Sequence, residues 1–157
     1  MARSHYMVPT IPVTSSITVR LGNTGAAYTD LENGKLVKLA AESQFNLAVA
    51  GDEVEAIIVS AGADATQNGF SIGSVNDTFD SCYVLFDGSE AAGTGAIAVG
   101  DYVVCGTITA QGTALSSYPK VRKATSQGTQ KSLFRVVSLG TVGTGAVGTA
   151  GVIRRVR

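Results

Sequence analysis

The sequence predicts an all-β fold, a single compact sandwich or barrel-like domain of about nine short strands with an extended N-terminal arm. Glycine supplies 19 of the 157 residues, where average usage would give roughly 11. Val, Thr, Ser and Gly dominate over the better helix formers Leu, Met, Lys and Glu. Turn signals recur every 8 to 15 residues, which is typical of short strands joined by tight turns. A chain of this length buries roughly 70% of its unfolded surface without disulfide or metal links.

The chain is predicted to begin with an extended arm (1–16), followed by a single β-rich domain (17–157). Two prolines in the arm fix a non-helical path and cannot sit in a central strand. An extended segment with apolar side chains usually lies on a surface, here either its own domain or a neighbouring subunit. The side chains that we expect to make this contact are Tyr6, Met7, Val8 and Ile11.

Nine segments combine β-branched or aromatic residues with flanking turn residues, and we predict a strand in each. The predicted strands are 17–21, 35–39, 52–60, 70–75, 82–86, 102–110, 120–124, 132–139 and 150–156. Residues 43–50 are ambiguous between a half-buried strand and an irregular segment. Residues 61–69 have the composition of a loop, and any helix would be short, near residues 39–42.

Two stretches of the chain resemble each other: GDEVEAIIVSA at 51–61 and GDYVVCGTITA at 100–110. Each begins with Gly-Asp, which suits a tight turn because Gly accepts positive φ and Asp can bond its own backbone. We interpret each as a turn leading into a buried strand, at a spacing of 49 residues. Two copies are fewer than a solenoid needs, so they indicate two similar strand starts in one β-domain.

The net charge is zero, but the charges are segregated along the chain. Residues 39–119 contain ten acidic and no basic residues, whereas residues 120–157 contain eight basic and no acidic residues. Two interpretations remain open. The segments neutralise each other across a sheet, or a basic edge of one copy meets an acidic edge of another. Nucleic acid is disfavoured as a partner because the basic segment has only two aromatic residues and the chain as a whole is not basic.

No constellation of catalytic or metal-binding residues emerges, so we expect no enzyme activity, no cofactor and no metal. His5, the one histidine, lies in the arm, where it is poorly placed for a catalytic triad. Asp77 and Asp80 could approach a calcium ion, but no EF-hand pattern surrounds them and a solvated loop is favoured. Residues 143–148 match G-x-G-x-x-G, yet no helix can follow them, so we predict a glycine-rich loop.

We expect a soluble protein made in the cytoplasm, with no membrane partner. No apolar run approaches the roughly 20 residues that a membrane helix needs, and the N-terminus lacks the apolar segment of a signal peptide. Cys82 and Cys105 lack metal-ligand spacing. Without secretion they are expected to be buried, reduced thiols.

Several motifs resemble a known family. The run AIAVGDYVV (96–104), followed by FRVVSLG (134–140) and GVIRRVR (151–157), is similar to the small β-rich capsid decoration, or cement, proteins of tailed bacteriophages. The earlier runs NGKLVKL (33–39) and NLAVAGD (46–52) also resemble phage structural proteins. The likeness covers roughly residues 33–157 and does not account for the arm or for residues 61–81.

The resemblance implies a non-enzymatic virion protein on the capsid surface, synthesised in the bacterial host cytoplasm. Its partner would be the major capsid protein, and it would bind as a homotrimer that clamps neighbouring shell subunits, partly through the arm. The residues expected to bridge acidic surfaces are Arg154, Arg155 and Arg157; the alternative is that they form a solvated basic strand end. Alternatives are another phage structural protein (a head fibre or tail component) or a carbohydrate-binding β-module.

Overall fold

The computed structural model of the chain describes residues 16–22, 27–67, 69–89, 93–124 and 134–156, and for residues 63–67 it describes the backbone only. Ten strands lie in these ranges. They are β1 (Ile17–Leu21), β2 (Leu36–Ala41), β3 (Gln44–Leu47), β4 (Ala56–Gln67), β5 (Phe70–Asn76), β6 (Ser81–Phe86), β7 (Tyr102–Cys105), β8 (Lys120–Lys123), β9 (Phe134–Ser138) and β10 (Ala150–Arg155). The all-β prediction is confirmed, and all nine predicted segments contain a strand.

The ten strands form two closed five-stranded barrels. The first barrel, β1 to β5, has the cyclic order β1-β3-β2-β4-β5, and the second barrel, β6 to β10, has the order β6-β8-β7-β9-β10. Each barrel has one parallel pair, β1 with β3 and β6 with β8, and its other four pairs are antiparallel. The second barrel therefore repeats the topology of the first, strand for strand.

The strand that the sequence left ambiguous is β3, which raises the number of strands from nine to ten. The predicted loop at 61–69 is wrong, because β4 continues to Gln67 and pairs with β5 as far as the turn. A register shift between Ala61 and Thr66 breaks the alternation in this part of the strand. Small residues at an irregular register carry no period-two signal, which is why the pattern suggested a loop.

Two further boundaries differ from the prediction. β2 runs through Ala41, so the short helix suggested near residues 39–42 is wrong, and a 3-10 turn occurs instead at Asp30–Glu32. β7 ends at Cys105 rather than at residue 110. There the side chain of Asp87 accepts hydrogen bonds from the N–H (2.7 Å) and the hydroxyl (2.8 Å) of Thr107, which draws the chain out of the ladder.

Each barrel has an apolar core, and the two cores are built differently. The core of the first barrel consists of residues from that barrel alone: Val19, Leu21, Tyr28, Val37, Phe45, Ala56, Ile58, Ala61 and Val75. The core of the second barrel includes Phe79, Phe86 and Phe134 and extends to four residues of the first barrel: Leu36, Ala48, Val54 and Ile57. The apolar contact between the barrels is therefore continuous with the interior of the second.

Candidate functional site

The two Gly-Asp stretches form the same turn. The Asp52 side chain accepts the N–H of Val49 (2.7 Å), and the Asp52 N–H donates to the Val49 carbonyl (3.0 Å). The Asp101 side chain and N–H make the same pair of bonds with Ala98, at 2.9 and 3.1 Å. In both turns the glycine before the aspartate has a φ of +94°, a conformation that a side chain would strain.

Each turn is fastened to a strand by two backbone hydrogen bonds. Cys105 in β7 bonds the first turn at Gly51 and Asp52 (both 2.8 Å), and Val136 in β9 bonds the second at Gly100 and Asp101 (both 2.9 Å). The aspartate of each turn also forms an ion pair with a lysine. The ammonium nitrogen of Lys38 lies 2.8 Å from the Asp52 carboxylate, and that of Lys123 lies 3.0 Å from the Asp101 carboxylate. The first turn therefore joins the two barrels, whereas the second lies within the second barrel.

A buried ion pair forms a second joint between the barrels. Glu32 and Lys35 are 0% and 3% exposed, and the ammonium nitrogen lies 3.3 Å from Oε1 of the carboxylate. Glu32 also accepts the N–H of Gly112 (2.5 Å), and Lys35 donates to the carbonyl of Ala110 (2.9 Å). These two residues of the first barrel thereby hold the β7–β8 loop of the second.

The environment of Glu32 favours its charged form. Burial alone would raise the pKa of the carboxyl group. The N–H groups of Thr29 and Gly112 and the ammonium group of Lys35 outweigh this effect, so the pKa lies below its ordinary value. The Glu32–Lys35 ion pair is buried and hydrogen-bonded by several donors, which is typical of a structural joint rather than of an acid-base catalyst.

A narrow crevice beside this joint is lined by both barrels, including Leu36, Leu47, Ile108 and Leu115. Its internal volume is about 20 Å³, which is room for one water molecule. An organic ligand does not fit there.

The more spacious candidate is a cleft of about 280 Å³ at one end of β9 and β10. Its lining residues are Asp80, Arg135, Arg154, Arg155 and Val156. Three guanidinium groups and one carboxylate give the lining an excess of positive charge. We call it the arginine cleft.

A β-bulge sets the arrangement of the arginines. The β9–β10 register shifts between Val152 and Ile153, so Ile153 lies opposite Val136 and Arg154 lies opposite Arg135. The shift keeps the apolar side chains of Ile153 and Val136 inside, at 0% and 1% exposure. As a consequence, two exposed arginines face each other across the ladder on the outer surface.

Arg155 differs from its neighbour, because its guanidinium group is used within the chain. It donates to the carbonyl oxygens of Asp77 (2.9 Å) and Phe79 (3.2 Å) and lies 4.9 Å from the ring centre of Phe134. This side chain fixes the 77–80 connection between the barrels. Of the predicted contact residues, Arg154 is exposed, and five lie outside the described residues: Tyr6, Met7, Val8, Ile11 and Arg157.

Within the described residues, few ion pairs join the acidic and basic segments. In the described ranges, one ion pair joins residues 39–119 to residues 120–156, that of Asp101 with Lys123. Neither Arg135 nor Arg154 has an ion-pair partner among the described residues. Among the described residues of the basic segment, therefore, Lys123 is the one that forms an ion pair with the acidic segment.

The other sequence motifs have structural roles. The glycine-rich run 143–148 lies in the loop between β9 and β10, and a Cβ at Gly145 would overlap the carbonyl of Ile97. Cys82 and Cys105 are buried, as predicted, and free. Burial raises the pKa of both thiols, that of Cys105 to about 12, so thiolate chemistry is suppressed. Within the described part of the chain, no three His, Cys, Asp or Glu side chains converge as a metal site would require.

Comparison of the chain with protein-family models, with curated proteins and with solved structures found no match. No helix in the described ranges has the length and apolarity needed to cross a membrane. The resemblance to phage decoration proteins therefore rests on the sequence motifs alone.

Sequence reasoning missed Arg135 and the Glu32–Lys35 joint. A signal for the joint is present, because Thr29 and Glu32 have the spacing of a capping box, and the structure contains one. No sequence signal places Arg135 opposite Arg154, because this register depends on the bulge between Val152 and Ile153.

Proposed function

We propose that the chain is a non-enzymatic capsid decoration protein that binds the outer surface of a phage head and bridges shell subunits. The observation that carries this proposal is the arginine cleft, where Arg135 and Arg154 are exposed with no described ion-pair partner. Such a surface suits acidic protein groups, because guanidinium groups pair with carboxylates in a fixed two-pronged geometry.

Two features of the fold support the proposal. The run at 97–101, which is part of the resemblance, forms an ordered turn bonded to β9. The barrels are also fixed to each other by apolar contact, by the first Gly-Asp turn and by the Glu32–Lys35 joint. A protein that joins shell subunits needs a rigid body between its contacts, since flexibility would add an ordering cost to binding.

The mechanism is stabilisation by binding. A protein that binds the assembled shell but not its dissociated subunits lowers the free energy of the shell by mass action. Repetition of modest contacts over a symmetric surface makes release slow. A homotrimer and an N-terminal arm lying on a neighbouring subunit are part of this proposal.

The test is co-sedimentation with purified, expanded heads of the phage that encodes the chain, prepared without it. The full chain is expected to pellet with the heads at a saturating ratio, and a variant lacking residues 1–16 is expected to pellet less. Absence of the full chain from the pellet would contradict the proposal. Equal binding by the shortened variant would remove the arm from it and leave the decoration role standing.

A further inference from the structure

The two barrels have opposite net charges despite their shared topology. Residues 17–76 contain three basic and seven acidic residues, a net charge of −4, and residues 77–157 contain eight basic and five acidic residues, a net charge of +3. One end of the molecule is therefore complementary to the other end of a second copy, since opposite potentials favour encounter and set orientation.

Two like charges lie opposite each other in the arginine cleft, whose lining also includes the carboxylate of Asp80. Like charges directly opposite on neighbouring strands destabilise a sheet, and Arg154 lies opposite Arg135. The bulge fixes this register through the buried partners Ile153 and Val136, so the backbone positions of the two arginines stay opposite each other. A carboxylate placed between the two guanidinium groups would convert the repulsion into two attractive contacts.

An exposed acidic side chain that could fill this cleft lies on the first barrel, at the tip of the β2–β3 hairpin. Ala41 pairs with Gln44, so Glu42 and Ser43 form a two-residue turn, in which Ser43 has a φ of +53°. All five residues 39–43 are exposed, among them Leu39 at 56%. Glu42 is thus exposed at the tip of the hairpin, three residues from the exposed side chain of Leu39.

The tip is braced and lies at the far end of its hairpin from the second barrel. The guanidinium group of Arg20 donates to the Glu42 carbonyl at 2.7 Å, which leaves the carboxylate free of this contact. The Glu42 carboxylate makes no ion pair with any described residue. At the opposite end of the hairpin, Leu36 and Ala48 belong to the core shared with the second barrel.

We propose that the β2–β3 tip of one copy inserts Glu42 into the arginine cleft of a second copy, between Arg135 and Arg154, so that the chain associates head to tail. The two surfaces lie on different barrels, so the interface is heterologous. Such contacts close into a ring when the rotation permits and otherwise propagate. This interaction does not require a capsid, but it uses the same arginine cleft as the proposed contact with the shell, so a copy whose cleft holds Glu42 of a second copy does not offer that cleft to the shell.

The experiment uses the full chain and two variants, Glu42→Lys at the tip and Arg154→Glu in the cleft, with mass measured by light scattering during size exclusion and by sedimentation velocity. The wild type is expected to associate, and its dissociation constant should rise as NaCl is raised from about 0.05 M to about 0.5 M. Each variant alone should weaken association about tenfold or more. An equimolar mixture should associate again, because the Arg154→Glu chain keeps an intact tip and the Glu42→Lys chain keeps an intact cleft.

Matched controls are Lys120→Glu and Asp30→Lys, which make the same charge changes at exposed positions outside the cleft and the tip; both should associate as the wild type does. Three results would each overturn the proposal: a wild type that is monomeric at every concentration in low salt, variants that associate as well as the wild type, or variants that do not complement each other on mixing. If the wild-type chain associates with itself but does not bind phage heads, the decoration role is refuted and the head-to-tail association stands.

Discussion

The first barrel encloses a core made of its own residues, whereas the core of the second barrel is completed by residues of the first. The first barrel is acidic and the second is basic, although their strand orders are the same. The comparison shows that one pattern of strand pairing can be kept while burial and surface charge are changed. The second barrel depends on residues of the first barrel for its packing, and its outer surface carries Arg135 and Arg154, which form no ion pair with any described residue.

The largest effect is expected from removing the ring of Phe134 in the second core. Phe134 is fully buried and its ring centre lies 5.0 Å from that of Phe79. We expect Phe134→Ala to lower the free energy of unfolding by about 3–5 kcal/mol. Because the second core includes first-barrel residues, urea unfolding followed by circular dichroism should remain one transition. The matched variant Phe45→Ala removes a ring from the core of the first barrel and should also unfold in one transition. A separate transition for either barrel would contradict the shared packing.

The joint at Glu32 is expected to give the next largest effect. Glu32→Gln removes the countercharge of the buried Lys35 ammonium group and should cost about 3 kcal/mol, at the lower end for a broken buried pair, because the amide oxygen still accepts a hydrogen bond. Urea unfolding measures the loss. The control Asp30→Asn, an exposed neighbour, should leave stability within about 0.5 kcal/mol. A loss equal to that of the control would show that the joint contributes nothing.

The two Gly-Asp turns allow the barrels to be compared at one motif. Asp52→Ala and Asp101→Ala each remove a carboxylate that accepts a backbone N–H and pairs with a lysine. Each should cost about 2 kcal/mol, with similar values because the local bonds are the same. A much larger cost at Asp52 would show that its turn supports the contact between the barrels as well as its own geometry.

Acid should weaken the joint before it weakens the cores. The folded-state pKa of Glu32 is lowered, so its stabilising contribution is full above the ordinary carboxyl pKa of 4.5 and is lost as the pH falls through the lower, folded value. The free energy of unfolding of the wild type should therefore decrease with acid in that window. Glu32→Gln should show a shallower decrease, and parallel curves for the two proteins would contradict this assignment.

The smallest expected change is an increase, rather than a decrease, in the free energy of unfolding. Arg154→Gln removes the repulsion from Arg135 while keeping an uncharged polar side chain, so dilute, monomeric protein should gain roughly 0.5 kcal/mol of stability. Thermal unfolding at low salt measures the gain, and it should disappear at high salt. Lys120→Gln should give no gain. If Arg154→Gln destabilised the chain, the arginine pair would contribute to the stability of the fold, contrary to its assignment as a binding surface.

The sequence was informative where local chemistry decides the structure. The dense run of β-forming residues in β6 and the turn residues at both Gly-Asp pairs led to correct predictions, because strand propensity and positive φ depend on the residues themselves and their neighbours. The division into two barrels was not predictable in this way, since it depends on parallel pairs between strands separated by intervening elements. The arginine cleft was half predicted: Arg154 stood out in the sequence, but its position opposite Arg135 follows from a bulge that no local pattern encodes.

The proposed role on the capsid surface is tested by electron cryomicroscopy of heads with and without the added chain. We expect additional density on the outer surface at local threefold positions, into which the two-barrel body fits with the second barrel near acidic groups of the shell. Heads that bind no additional density, or density confined to the tail or to head fibres, would contradict it.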